Sequence, residues 1–211
     1  MKVALTGGIA CGKSLLSNFL RELGVEAIDA DDVVHELIPD PAERRRIAAE
    51  VFSDPEKRRA LEAKIHPLVK ERIDQWFNGT NGTDATNGTC RTSGTRPCLG
   101  GPGGLGGPVR IAIIPLLFEA HWEKNFDIIC CVVSSREKQI ERMMTTRGMT
   151  LAEAEARLAA QMPVEEKARR SQYVIRNDGT AEELRAEAQK LVDWLKTSNS
   201  NSELQLLTPD P

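Results

Sequence analysis

Residues 4–20 read "ALTGGIACGKSLLSNFL", an apolar run broken by three glycines, a lysine and a serine before apolar residues resume at helical spacing. Gly7, Gly12, Lys13 and Ser14 fit the spacing G-x-x-x-x-G-K-[ST]. That pattern suits a triphosphate. Glycines let the chain curl closely enough for several backbone N–H groups to meet one anion. The helix beginning near Lys13 turns its positive end to the same point, the Lys13 ammonium reaches the outer phosphates, and the Ser14 hydroxyl ligates Mg²⁺. Gly8, Ala10, Cys11, Gly12, Lys13, Ser14 and Leu15 are the candidate nucleotide contacts. Cys11 has two open readings, a thiol activated by its cationic neighbourhood or a bystander facing solvent.

A phosphate loop alone does not separate kinase, GTPase and ATPase, so the acidic residues decide. No N-K-x-D stretch is present to read guanine, and the strand "VRIAIIP" ends without the acid a motor ATPase needs. The nearest strand-end acids lie in "DADD", residues 29–32. The carboxyl end of a strand is the edge where open α/β sheets gather ligands. Asp31 is placed to accept the proton of an acceptor hydroxyl or to orient its oxygen, and Asp29 to help hold Mg²⁺ through water. Helix capping competes for Asp29, Asp31 and Asp32, because a helix follows directly. Further on, Arg136–Arg176 carries nine Lys/Arg against six Asp/Glu. Helices with such an excess can fold over an anion as a lid, with Arg142 and Arg170 as contacts to phosphate or adenine. A solvated basic face is the alternative.

The elements that must position these groups follow from periodicity. Val3–Thr6 reads as a strand, Lys13–Leu23 as a helix closed by Gly24, Val25–Ile28 as a second strand and "VVHEL" as a helix ending near Pro39. Pro41–Phe77 is helical, with "SDP" at 53–55 and "HP" at 66–67 as expected boundaries. Asn78–Pro108, with "NGTNGTDATNGT" and "CLGGPGGLGGP", has too little apolar content to offset ordering entropy and reads as a flexible linker. Its N-x-T triplets fit a repeated polar loop better than glycosylation sites. Val109–Ile114 and Asp127–Val133 read as central parallel strands. Arg136–Thr146, Leu151–Met162 and Val164–Ser171 read as helices, Tyr173–Ile175 as a strand and Ala181–Lys196 as a final amphipathic helix. Residues 197–211 read as a frayed, disordered tail.

The chain has 211 residues and a formal net charge of −3, which gives no global pull towards nucleic acid or membrane. No run approaches the roughly 18 apolar residues of a membrane span, and the N-terminus enters a strand without a charged, then apolar leader. A cytoplasmic protein is expected. Its five cysteines are expected as thiols: Cys130 and Cys131 as buried apolar residues, Cys90 and Cys98 without the partners of a zinc site.

The stretches "VALTGGIACGKS", "VEAIDADDVVHEL", "RRALEAKIHPLV", "IPLLFEAHWEKNFD" and "QIERMMTTRGMTLAEAEARLAAQMPVEEKARRSQYVIRNDGTAEEL" together resemble the dephospho-coenzyme A kinase family. "IDAD", "HPLV", "PLLFE" and the last stretch, in this order, are specific to it. The resemblance implies ATP-dependent phosphorylation of the ribose 3′-hydroxyl of dephospho-CoA, the last step of coenzyme A biosynthesis. It implies an α/β fold of the P-loop NTPase type, with a parallel central sheet in three layers (1–32, 109–134, 172–196), a helical CoA-binding region (33–77) and a helical lid (135–171). Asp31 matches the family's proposed base, and Lys13 and Ser14 its phosphate and Mg²⁺ residues. His66 and Pro67 match the helical-domain motif, Leu116, Leu117 and Glu119 the acceptor-side loop, Arg142 and Arg170 the lid arginines, and Asn177 the adenine-side loop.

The chain also departs from the family pattern. Its helical region is shorter before "RRALEAKIHP", the 78–108 connection is longer, and Thr146–Arg147 stands where a lid Arg–Asp is usual. Gln172 and Arg176 occupy positions where acids are common. ATP and dephospho-CoA are the expected partners, with no nucleic acid or membrane and a monomer or weak homo-oligomer as the assembly. Two further readings stay open: another P-loop small-molecule kinase with a nucleoside or sugar acceptor, and a nucleotide-binding regulatory protein without transfer activity.

Overall fold

The computed structural model describes residues 1–52, 55–79 and 109–205. Two compact units divide the chain: Met1–Ala27 with Cys98–Pro211, and Ile28–Pro97. The sheet runs in the order β2-β3-β1-β4-β5, with β1 at Val3–Gly7, β2 at Glu26–Asp29, β3 at Arg110–Ile113, β4 at Ile128–Val133 and β5 at Tyr173–Arg176. β1 is parallel to β3 and β4, and β4 to β5. β1 and β4 are buried at every position, as expected of central strands covered on both faces, which therefore read as continuous apolar runs.

In the first unit, α1 (Lys13–Glu22) turns Leu16 and Leu20 inward and packs on α8 (Ala181–Gln205). The buried stripe of α8 is Leu184, Ala188, Leu191, Val192 and Leu195, one face of a helix with 3.6 residues per turn. The helix continues to Gln205, so residues 197–205 are helical where the sequence reading places a frayed tail. No glycine or proline stands between Thr180 and Thr208 to stop it. After β4 come α5 (Arg136–Arg147), α6 (Leu151–Ala159) and α7 (Val164–Arg169). Ser135 caps α5, Thr150 and Glu153 form a reciprocal capping box on α6, and the Thr150 N–H and hydroxyl bonds hold the Glu153 carboxyl below its usual range. Cys130 and Cys131 are fully buried, as expected.

The second unit contains α2 (Ala30–Leu37), α3 (Pro41–Phe52) and α4 (Pro55–Phe77), with α4 packed on the other two. The expected boundary at His66–Pro67 is absent, because Pro67 lies inside α4. An interior proline costs about 3 kcal/mol. Burial of Val69 and Ile73, two and six residues later, about 1.5–3 kcal/mol each, is of the size needed to carry the helix past it. The 78–108 linker lies outside the described residues except for Asn78 and Gly79, and so do Cys90 and Cys98.

Candidate active site

The turn after β1 is held almost entirely through its carbonyl oxygens. Lys13 Nζ donates to Gly7 O at 3.0 Å and Gly8 O at 2.7 Å. Gln139 Nε2 donates to Ile9 O at 2.7 Å, Arg142 Nη1 to Ala10 O at 3.3 Å and Asn177 Nδ2 to Cys11 O at 2.9 Å. Every carbonyl from residue 7 to residue 11 thus receives a side-chain donor. In a planar trans peptide the C=O of one residue and the N–H of the next point in opposite directions, so the braces turn the loop amides to the other side. Among these amides only Cys11 N–H folds back, to Gly8 O at 3.4 Å. Loop N–H groups turned away from these braces and placed ahead of the α1 N-terminus suit an anion such as phosphate.

Three glycines make this geometry possible. A Cβ on Gly7 would lie 2.3 Å from Val132 O, one on Gly8 2.6 Å from Gln139 Nε2, and one on Gly12, where φ is +87°, 2.1 Å from Asn177 Nδ2. Ala10 also adopts positive φ, at 57°, where a side chain is tolerated at a cost of roughly 1–3 kcal/mol. Ser14 and Leu15 are exposed on the first turn of α1 and Lys13 is half-buried.

Cys11 faces neither solvent nor an activating environment. It is fully buried, its Sγ accepts from Gln139 Nε2 at 3.2 Å, and burial pushes its thiol pKa up despite the opposing pull of Lys13. The solvent-facing reading is therefore corrected, because the braced loop turns residue 11 into the core.

Arg142 bonds Ser134 Oγ at 2.9 Å and Asn177 O at 2.8 Å besides Ala10 O, tying the loop to the ends of β4 and β5. Gln139 and Ser134, which sequence reasoning did not single out, are part of the same brace, and both are buried. The available signal was a polar residue at an inward helical position: Gln139 and Met143, four apart, are the buried residues of α5. Gly8, Ile9, Arg136, Gln139 and the Leu158–Glu165 segment line a cleft of about 290 Å³ beside the loop.

The loop after β3 turns its residues in different directions. Leu116 is 46% exposed, whereas Leu117 is fully buried and anchors the loop. Glu119 Oε1 lies 2.7 Å from Lys167 Nζ and accepts from Met162 N–H at 3.1 Å. Arg170 pairs with Glu123 Oε1 at 2.6 Å and lies 4.4 Å from the Phe118 ring centroid.

In the helical unit, Asp29 is the N-cap of α2, its Oδ1 accepting from Asp31 N–H at 2.9 Å. Asp31 and Asp32 stand exposed in the first turn. Capping therefore falls to Asp29, leaving the Asp31 carboxylate on the surface. His66 is half-buried and Pro67 exposed on α4. Among the described residues there is no group of three or more His, Cys, Asp or Glu that could hold a metal ion, and no helix is long and apolar enough to cross a membrane.

Comparison with known proteins agrees with this architecture. A dephospho-CoA kinase protein of Geobacter sulfurreducens is 34% identical over 215 residues, covering 92% of this chain and 97% of that protein. One from Synechococcus sp. (strain JA-3-3Ab) is 36% identical over 209 residues, covering 89% and 90%. A solved structure from Thermus thermophilus superposes with a TM-score of 0.67 at 30% identity, covering 92% of this chain and 97% of the other. A shikimate kinase from Bacteroides thetaiotaomicron, at 15% identity and a TM-score of 0.55, covering 93% and 98%, shares the fold. The family described as CoaE, dephospho-CoA kinase, matches residues 1–43 and 106–183, which takes in the phosphate loop, "DADD", "PLLFE" and the Arg142–Asn177 region. The chain belongs to the dephospho-CoA kinase family.

Proposed function

We propose that this protein transfers the γ-phosphoryl group of ATP to the ribose 3′-hydroxyl of dephospho-CoA, in the cytoplasm. The bracing of five consecutive loop carbonyls, which leaves the loop amides to an anion, carries the reading. A bond forms between the 3′-oxygen and the γ-phosphorus, the bond from that phosphorus to the β,γ-bridging oxygen breaks, and ADP leaves. Asp31 is the residue we assign to the acceptor hydroxyl, taking its proton as the oxygen attacks. Its exposed carboxylate, not consumed as the helix cap, supports that role.

The loop amides and Lys13 hold the β- and γ-phosphates, Arg142 keeps the loop in shape, and Arg170 and Asn177 complete the nucleotide side. Leu116 presents an apolar side chain to the acceptor, and His66 and Pro67 serve acceptor binding from the helical unit. Catalysis here is positioning and charge stabilisation with no covalent intermediate.

The residues present fit a Mg²⁺ ion in one respect: the exposed Ser14 hydroxyl follows directly on the phosphate loop. The absence of an acidic cage among the described residues suits an ion held mostly by substrate phosphates and water. Ser14 would hold the ion, Asp29 is the residue we assign to a water-mediated share in holding it, and the ion's chemistry there would be charge neutralisation of the phosphates.

The experiment is to incubate the purified protein with ATP, Mg²⁺ and dephospho-CoA and to determine the mass of the acceptor product. One added phosphoryl group on the 3′-oxygen is expected. ADP released only with nucleoside or sugar acceptors would replace the acceptor, and ATP binding without any transfer would end the kinase reading. Asp31→Asn is expected to bind ATP as the parent does while losing about 10²–10⁴-fold in kcat.

A further inference from the structure

Lys167 is the one large charged side chain among the fully buried residues described, and neither the motif reading nor the mechanism above uses it. Its ammonium lies 2.7 Å from Glu119 Oε1 and donates to Pro115 O at 3.0 Å. Thr6 Oγ1, on the residue before Gly7, donates to the same Pro115 O at 3.3 Å. Met162 N–H donates to the same Glu119 Oε1. Three segments therefore meet at one buried ammonium: the end of β1 where the phosphate loop begins, the loop after β3, and the chain entering α7. Glu119 Oε2 is buried at this junction without a hydrogen-bond partner.

Stability alone is a poor reason for such a pair. Burying two charges costs several kcal/mol of desolvation, and apolar residues of similar volume are often as stable or more so. What an ion pair adds over an apolar contact is direction. The ammonium can satisfy the Pro115 carbonyl and the Glu119 carboxylate together only if the loop lies at one position relative to β1. Internal bonds, Ala120 N–H to Leu116 O, His121 N–H to Phe118 O and Trp122 N–H to Leu117 O, fix the loop's shape, and buried Leu117 and Phe118 with the Arg170–Glu123 pair seat its middle and far end; the ammonium adds a directional tie at Pro115 and Glu119. Leu116 rides outward on it.

We propose that Lys167 is a positioning residue for phosphoryl transfer: through Glu119 and Pro115 it fixes the 115–122 loop against the end of β1, and turnover depends on that placement. The proposal rests on the kinase reading for its effect on turnover, and on hydrogen exchange for its effect on the loop.

The test compares the parent with Lys167→Met, Lys167→Arg and Glu119→Gln, each as the full chain. For Lys167→Met we expect kcat with dephospho-CoA to fall at least 30-fold per folded molecule. ATP Kd by calorimetry should stay within threefold, and exchange of the Ala120, His121 and Trp122 amides should accelerate at least tenfold, with α1 amides unchanged. Lys167→Arg should recover a substantial part of kcat, and Glu119→Gln should accelerate the same amides. If Lys167→Met does not fold, Glu119→Gln carries the test with the same thresholds.

A kcat within threefold of the parent, unchanged loop exchange, or equal acceleration of loop and α1 amides would each overturn the proposal. A parent that phosphorylates no acceptor defeats the kinase reading and with it the claim on turnover. Selective loop acceleration in Lys167→Met would then still show the strut.

Discussion

The phosphate loop and the loop after β3 follow neighbouring strands, yet they are held in opposite ways. In the first, side chains from α1, α5 and residue 177 grip backbone carbonyls of residues 7–11 and leave the amides for the ligand. In the second, acidic side chains of the loop itself, Glu119 and Glu123, are gripped by Lys167 and Arg170. A site that binds with backbone needs its backbone fixed from behind. The loop after β3 is fixed through acidic side chains of its own. The first leaves no room for a Cβ at three glycine positions, whereas the second is anchored through Glu119 and Glu123 and through buried Leu117 and Phe118.

The sharpest break of this contrast is Lys13→Ala. It removes the cation for the phosphates and the donor to Gly7 O and Gly8 O together, and kcat/KM is expected to fall by about 10³-fold or more, measured as ADP release with dephospho-CoA. Next comes Gly12→Ala, which places a methyl group 2.1 Å from Asn177 Nδ2 at a φ of +87°. About 1–3 kcal/mol of backbone strain should lower the melting temperature, and calorimetry should show a large loss of ATP affinity. An ATP Kd close to that of the parent would mean that the loop amides are not the binding surface.

Gln139→Leu leaves the part-buried Ile9 O without its donor, a loss of about 1–3 kcal/mol at most, so ATP Kd should rise by up to roughly 100-fold. Its counterpart in the other loop, Glu123→Gln, breaks a partly exposed pair worth about 1 kcal/mol or less. It should leave ATP Kd within about twofold, and equal effects from the two variants would erase the distinction between the loops.

A further effect is alkaline and bears on stability rather than on either loop. Burial pushes the Cys130 and Cys131 thiols up to about 12 from 9.0. In the unfolded chain they ionise near 9 while the folded protein keeps its protons. The thiols' contribution to stability is thus complete below pH 9 and is lost as pH rises from 9 towards 12, by up to about 1.4 kcal/mol per pH unit for each thiol. Urea unfolding at pH 8 and pH 10 should show this loss, and a Cys130→Ala, Cys131→Val double variant should show less of it.

Much of the fold was legible because the determining signals are local. The phosphate loop is announced by glycine spacing between a strand and a helix, β4 by an uninterrupted apolar run and β1 by a short one ending at Thr6. Where local signals compete with packing they misled. Pro67 reads as a helix end, but burial of Val69 and Ile73 carries α4 through it. Cys11, beside lysine and glycine, reads as a surface or reactive thiol, but braces from three elements turn it inward. Asp29, Asp31 and Asp32 all compete in sequence for the helix cap, and only the backbone at the start of α2 gives it to Asp29.

The sequence by itself determined the anion-binding turn, the order of strands and helices, and the family, since each depends on residues close together in the chain or on motifs in fixed order. The tertiary structure alone decided what holds that turn and its neighbour. Gln139, Arg142 and Asn177 reach the loop from more than a hundred positions away, and Lys167 meets Glu119 from 48 positions away. No spacing rule links such pairs, because they become neighbours only when parallel strands and their crossover helices bring distant segments to one edge of the sheet.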